Sequence, residues 1–114
     1  MTVTIWHNPR CSKSRATLKL LEEKGVKPEV RLYLEDPPSA DEIARALAML
    51  GLAAGAMVRR GEAEYREAGI ARDAVDADLI DALAKWPKLI ERPIVFAGEK
   101  AAIGRPPEAV LDIL

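Results

Sequence analysis

The sequence predicts an α/β protein built on a mixed four-stranded sheet, with a helical insertion between strands two and three. Three observations predict it. A β-branched run, a helical pattern and a second alternating run open the chain, giving β-α-β. The stretch from Ser39 to Lys85 carries helical periodicity and caps. Two short runs joined by Gly98-Glu99 close the chain ahead of a last helical segment. A β-α-β opening implies parallel strands with a right-handed crossover, and a two-residue glycine turn implies an antiparallel pair.

Each element has a local cause. Val3-Thr4-Ile5-Trp6 is β-branched and aromatic and reads as strand one. Asn8-Pro9 marks a turn. From Ser12 to Lys24 the pairs Ala16/Leu20 and Thr17/Leu21 recur at helical spacing, and Gly25 suits a helix end. Val30 to Leu34 alternates and reads as strand two, stopped by Glu35-Asp36-Pro37-Pro38. Ser39-Ala40-Asp41-Glu42 is a capping box that opens a helix carrying Ile43, Leu47 and Leu50, ended by Gly51. A short helix over Ala54 to Val58 and a helical turn over Glu64 to Ala68 follow. Asp76 reads as the N-cap of a helix through Lys85, with Leu79, Ile80 and Leu83 inward and Pro87 closing it. Ile94-Val95-Phe96 reads as a buried strand, Lys100 to Ile103 as its hairpin partner, and Glu108 to Leu114 as a last helix with proline at its start. The sum is a thioredoxin-like arrangement with extra helices.

Length and composition bound the function. The 114 residues, without repeat, linker or low-complexity tract, are expected to form a single domain. A chain of that size buries roughly two-thirds of its unfolded surface and needs no staples. A net charge of −1 argues against bulk electrostatic binding to nucleic acid or to an anionic membrane. No signal-like or bilayer-spanning run is present, and one cysteine leaves no internal disulfide. The expected location is the cytoplasm.

That cysteine, Cys11, lies in His7-Asn8-Pro9-Arg10-Cys11-Ser12-Lys13-Ser14-Arg15, between strand one and the first helix. A free cysteine is often just a small buried hydrophobe. Here a helix start supplies unpaired N–H groups and the positive end of the macrodipole, and Arg10, Lys13 and Arg15 crowd the turn. Both features favour a thiolate, and a helix start also receives oxyanions. Cys11 is therefore the candidate nucleophile. Cys11-Ser12-Lys13-Ser14 has the outline of a C-x-x-C motif with Ser14 in place of the second sulfur. A dithiol enzyme resolves its own mixed disulfide, but a chain with one cysteine depends on an external thiol such as glutathione.

His7, the only histidine, stands at the mouth of the same loop and is a candidate support for the thiolate. One cysteine and one histidine do not make a metal site, and Asp73, Asp76, Asp78 and Asp81 read as caps and a solvated face. Cys11 and Arg15 are too close in sequence to close the phosphate cradle of a phosphatase loop. Arg59, Arg92 and Arg105 each fall at an element boundary, and Arg92 and Arg105 are each followed by proline. Planar guanidinium forks suit tetrahedral oxyanions, so the three are candidates for an oxyanion clamp. Arg92-Pro93 is a candidate cis peptide facing the thiol loop, as thioredoxin-like folds place one at this strand start.

These residues carry a family resemblance. The run from His7 to Arg15 is similar to the H-N-P-x-C-x-x-S-R signature of the glutaredoxin-coupled arsenate reductase (ArsC) family. Tyr33-Leu34-Glu35-Asp36-Pro37-Pro38, Glu91-Arg92-Pro93-Ile94-Val95 and Gly104-Arg105-Pro106-Pro107 resemble its other blocks, in the same order. The wording C-S-K-S-R and the end at Leu114 resemble a short housekeeping-type branch, and Arg10 and Gly104 stand where plasmid-borne members carry alanine and cysteine. The resemblance implies that Cys11 attacks arsenate, that Arg59, Arg92 and Arg105 hold it, and that His7 keeps the thiol ionised, with Ser14, Arg15 and Pro93 in support. It implies glutathione as co-substrate, glutaredoxin as partner, no bound cofactor and a monomer. Two alternatives keep the fold. One is a glutathione-linked thiol oxidoreductase with another substrate. The other is an RNA-polymerase-binding redox regulator, against which Ser14 counts because such regulators usually carry C-x-x-C.

Overall fold

A computed structural model describes residues 2–71 and 73–114. The chain forms two compact units, one of residues 1–36 and 92–114 and one of residues 37–91.

The first unit holds the sheet. Strands β1 (Val3–Trp6), β2 (Glu29–Arg31), β3 (Ile94–Ala97) and β4 (Lys100–Ile103) lie in the order β2-β1-β3-β4. β1 runs parallel to β2 and antiparallel to β3, and β3 runs antiparallel to β4. This is the mixed, thioredoxin-like sheet that the sequence predicts. Helix α1 (Ser12–Glu23) buries Ser14, Thr17 and Leu21, and Gly25 ends it at a φ of 78°. Val3, Ile5, Leu21, Val95, Ala97 and Val110 form a core, against which Leu18, Val26, Ala102 and Ile113 pack.

Registers fix where chemistry can sit. Trp6 pairs with Ile94, and Ile94 with Ile103, so the end of β1, the start of β3 and the end of β4 share one edge. Trp6 also pairs with Arg31, which brings the end of β2 to the same edge. The Cys11 loop leaves β1 there, outside the carboxyl ends of the two parallel strands, where α/β sheets bind ligands.

The second unit is the helical insertion. Helix α2 (Ala40–Leu50) starts on the expected capping box, with Ser39 and Glu42 bonding each other's backbone N–H, and stops at Gly51 in the left-handed region. A 3₁₀ segment (Ala54–Met57), a short α3 (Ala63–Glu67), α4 (Asp76–Lys85) and a second 3₁₀ segment (Pro87–Leu89) complete it. Ile43, Leu47, Met57, Leu79, Leu83 and Leu89 are buried.

Two boundaries and two helix types differ from expectation. β2 ends at Arg31 because the Leu32 carbonyl accepts the N–H groups of Glu35 and Asp36, and that turn carries buried Tyr33. Val75 rather than Asp76 is the N-cap of α4, and Asp76 sits in its first turn, where a carboxylate favours the dipole. The short helix placed over Ala54 to Val58 is 3₁₀. So is the last helix, Pro107–Ile113, which follows Pro106 and begins with a second proline, neither of which has an N–H group. Among the described residues no helix is long and apolar enough to cross a membrane.

Candidate active site

Cys11 is the N-cap residue of α1, with extended backbone at φ −94° and ψ 122°. Its N–H donates to the Asn8 carbonyl at 3.0 Å, which closes the turn after β1. The first turn of α1 carries no acidic residue, so its positive end is left for an incoming anion. Cys11 is half-buried.

Burial pushes the Cys11 thiol up, but the groups around the sulfur outweigh it and hold it below its ordinary value. They are the backbone N–H of Ser14, the Arg92 guanidinium by hydrogen bonding and by charge, and the backbone N–H of Lys13. Cys11 makes no capping hydrogen bond of ordinary geometry, yet the amides of the first turn still favour the charged sulfur. The structure thus brings Cys11, Arg92 and Arg105 together. One Arg105 Nη lies 3.9 Å from Cys11 Sγ, and Arg105 Nε donates to the Arg92 carbonyl at 2.8 Å.

His7 reaches the loop through a hydrogen bond. It is 6% exposed, and its Nδ1 lies 2.7 Å from Ser14 Oγ. Burial and then the charge of Arg15 hold its imidazole below the usual histidine value, which favours the neutral ring. Its Nδ1 holds Ser14. Ser14, fully buried, also accepts the Asn8 N–H at 3.0 Å. Arg15 donates to the Pro9 carbonyl at 2.9 Å and braces the loop from outside. Asn8, which sequence reasoning passed over, accepts the Arg10 N–H at 3.0 Å through Oδ1; an Asn-Pro turn is the signal that could have found it.

Pro93 follows a cis peptide, as expected, and Arg105-Pro106 is a second cis peptide that the sequence reading missed. The Pro93 carbonyl accepts the Gly104 N–H at 2.9 Å. A Cβ on Gly104 would stand 2.5 Å from Thr17 Oγ1 and 2.8 Å from Pro93 Cγ. Only glycine lets the strand that delivers Arg105 lie this close to α1.

Arg59 belongs to the second unit. Its N–H donates to the Leu89 carbonyl at 2.7 Å beside the bridge from Val58 to Ile90. Its guanidinium meets Glu62 at 3.3 Å and Glu91 at 3.0 Å. Among the described residues no three His, Cys, Asp or Glu side chains gather as a metal site.

A cysteine sulfur at a helix start, held below its ordinary value and flanked by two guanidinium forks, is equipped to receive a tetrahedral oxyanion and to attack its central atom. Known proteins share this chain's pattern. The sequence profile of the ArsC family matches residues 6–113. The chain is 52% identical over 114 residues to "Uncharacterized protein YfgD" of Escherichia coli K12, covering 98% of this chain and 96% of that one. It is 48% identical to an arsenate reductase of Neisseria meningitidis, covering 98% and 97%. The solved arsenate reductase from Vibrio cholerae superposes with a TM-score of 0.95 at 50% identity, covering 100% of this chain and 98% of that one. By profile, sequence and fold, the chain belongs to the ArsC family.

Proposed function

We propose that this protein reduces arsenate to arsenite, with Cys11 as nucleophile and an external thiol as reductant. The observation that carries the reading is the meeting of Cys11 with Arg92 and Arg105 at the start of α1. Relatives named arsenate reductase support the substrate.

The Cys11 thiolate attacks As(V), an S–As bond forms, and one arsenate oxygen leaves as water after protonation. The arginines offset the anion's charge on binding and in the transition state. Glutathione then attacks the adduct, and glutaredoxin completes the reduction. In total one arsenate and two thiols give arsenite, a disulfide and water, and Cys11 returns as thiol. With one cysteine in the chain, and that one regenerated, both sulfurs of the disulfide come from outside. Arg59 enters the reading through the family resemblance, as a third arginine for the oxyanion. The protein is read as a cytoplasmic monomer without bound cofactor, and neither nucleic acid nor membrane has a part in it.

The reductant is tested by supplying it in two forms. Arsenite should accumulate with glutathione and glutaredoxin. Equal rates with thioredoxin and no glutathione would overturn the glutathione assignment.

A further inference from the structure

Thr17 lies in the second turn of α1 and is fully buried. Its hydroxyl donates to the Lys13 carbonyl at 2.8 Å. A threonine that bonds back four residues bends a helix and slightly destabilises it. Valine has nearly the same shape without that effect, so packing alone does not require a hydroxyl here. The side chain is also boxed in: a Cβ on Gly104 would stand 2.5 Å from its Oγ1 and 3.2 Å from its Cγ2. The bond to Lys13 is therefore held in one geometry.

The Lys13 carbonyl and the Ser14 N–H are the two ends of one planar peptide group. Ser14 is the third residue of α1, and the N–H at that position points back at the N-cap side chain, which here is Cys11. Burial works against the charged sulfur, and the Ser14 N–H is the largest contribution in its favour. A hydrogen bond accepted at one end of a peptide group polarises it and strengthens donation at the other, by about 10–30%. The Ser14 side chain is engaged elsewhere, 2.7 Å from His7 Nδ1 and accepting the Asn8 N–H at 3.0 Å. It anchors the loop, while Thr17 acts on the peptide.

We propose that Thr17 is a positioning residue for the nucleophile: its hydroxyl orients and polarises the Lys13–Ser14 peptide, whose N–H faces Cys11. The proposal takes from the functional reading only that Cys11 is the nucleophile. Arg92 and Arg105 face the same sulfur from the ends of the β3–β4 hairpin. His7 and Arg15 meet the loop at Ser14 and at the Pro9 carbonyl, and Arg10 and Lys13 are exposed beside the sulfur's backbone. Exchanging the Thr17 hydroxyl for a methyl leaves all these groups in place.

Cys11 is the chain's one cysteine, so the rate of iodoacetamide alkylation against pH reports its ionisation and needs no arsenate. Thr17→Val, which removes the hydroxyl and keeps the shape, should lower the thiol's ionisation constant about twofold and move the midpoint upward. Thr17→Ser and Thr17→Ala form a second pair that differs in the hydroxyl alone. Thr17→Ser should keep the wild-type midpoint and Thr17→Ala should shift as Thr17→Val does, so this pair decides the question even if Thr17→Val does not fold. Equal midpoints for Thr17→Ser and Thr17→Ala, or for the wild type and a folded Thr17→Val, would overturn the proposal. So would lower denaturant midpoints with an unmoved pH profile, the mark of a purely structural role. If arsenate turnover is absent and the alkylation midpoints still differ as expected, the functional reading fails and the role of Thr17 stands.

Discussion

Arg92 and Arg105 face each other across the open end of the β3–β4 hairpin. The register that pairs Ile94 with Ile103 carries on to these two positions, and Arg105 Nε donates to the Arg92 carbonyl at 2.8 Å. One arginine therefore steadies the backbone of the other while both guanidinium groups address Cys11. Lysine can match the charge of either but not the planar fork. Arg92→Lys and Arg105→Lys should each raise the KM for arsenate about tenfold or more, as expected when a charge-assisted hydrogen bond is lost. Steady-state kinetics checks this, and unchanged constants would remove the substituted arginine from the site.

Cys11 should titrate below the ordinary value of a free thiol, because the first-turn amides and Arg92 favour the charged sulfur. The thiolate's ultraviolet absorbance against pH gives the midpoint, and Arg92→Gln should move it upward. Because the folded value is the lower one, ionised Cys11 adds stability that is complete above the unfolded value and is lost as pH falls through the folded value.

His7 gives a separate acid window. Its folded value lies below about 6.5, so the unfolded chain takes up the proton first as pH falls. Stability from neutral His7 is complete above that value and is lost as pH falls toward the folded one. Urea midpoints should therefore drop through this window in the wild type. His7→Asn, which keeps a polar group near Ser14 but does not titrate, should flatten that part of the profile.

Gly104→Ala should destabilise the protein by about 1–3 kcal/mol through overpacking against Thr17 and Pro93. Adding Thr17→Ala removes both Thr17 atoms that the new methyl would meet, and should restore part of the loss. Denaturant midpoints of the single and double variants measure both effects.

Local chemistry made much of this legible. Ser39 with Glu42, Gly51, and the two-residue turn Gly98-Glu99 each encode their structure within a few residues, and each forms as read. Alternation from Val30 to Leu34 misled because it does not encode the turn at Leu32 that ends β2. Cys11 was legible because a helix start is a local feature. The His7–Ser14 contact was harder to read, because it depends on how the loop folds back on α1. The packing of Gly104 on Thr17 joins segments far apart in sequence, and no spacing within either one announces it.

The central claim is that Cys11 performs the first step of arsenate reduction. Arsenite formation from arsenate, with glutathione and glutaredoxin, for the wild type and Cys11→Ser, tests it most directly. The account predicts steady turnover in the wild type and none in the variant. Turnover that survives in Cys11→Ser would contradict it, as would a wild type that exchanges with glutathione disulfide at Cys11 but forms no arsenite.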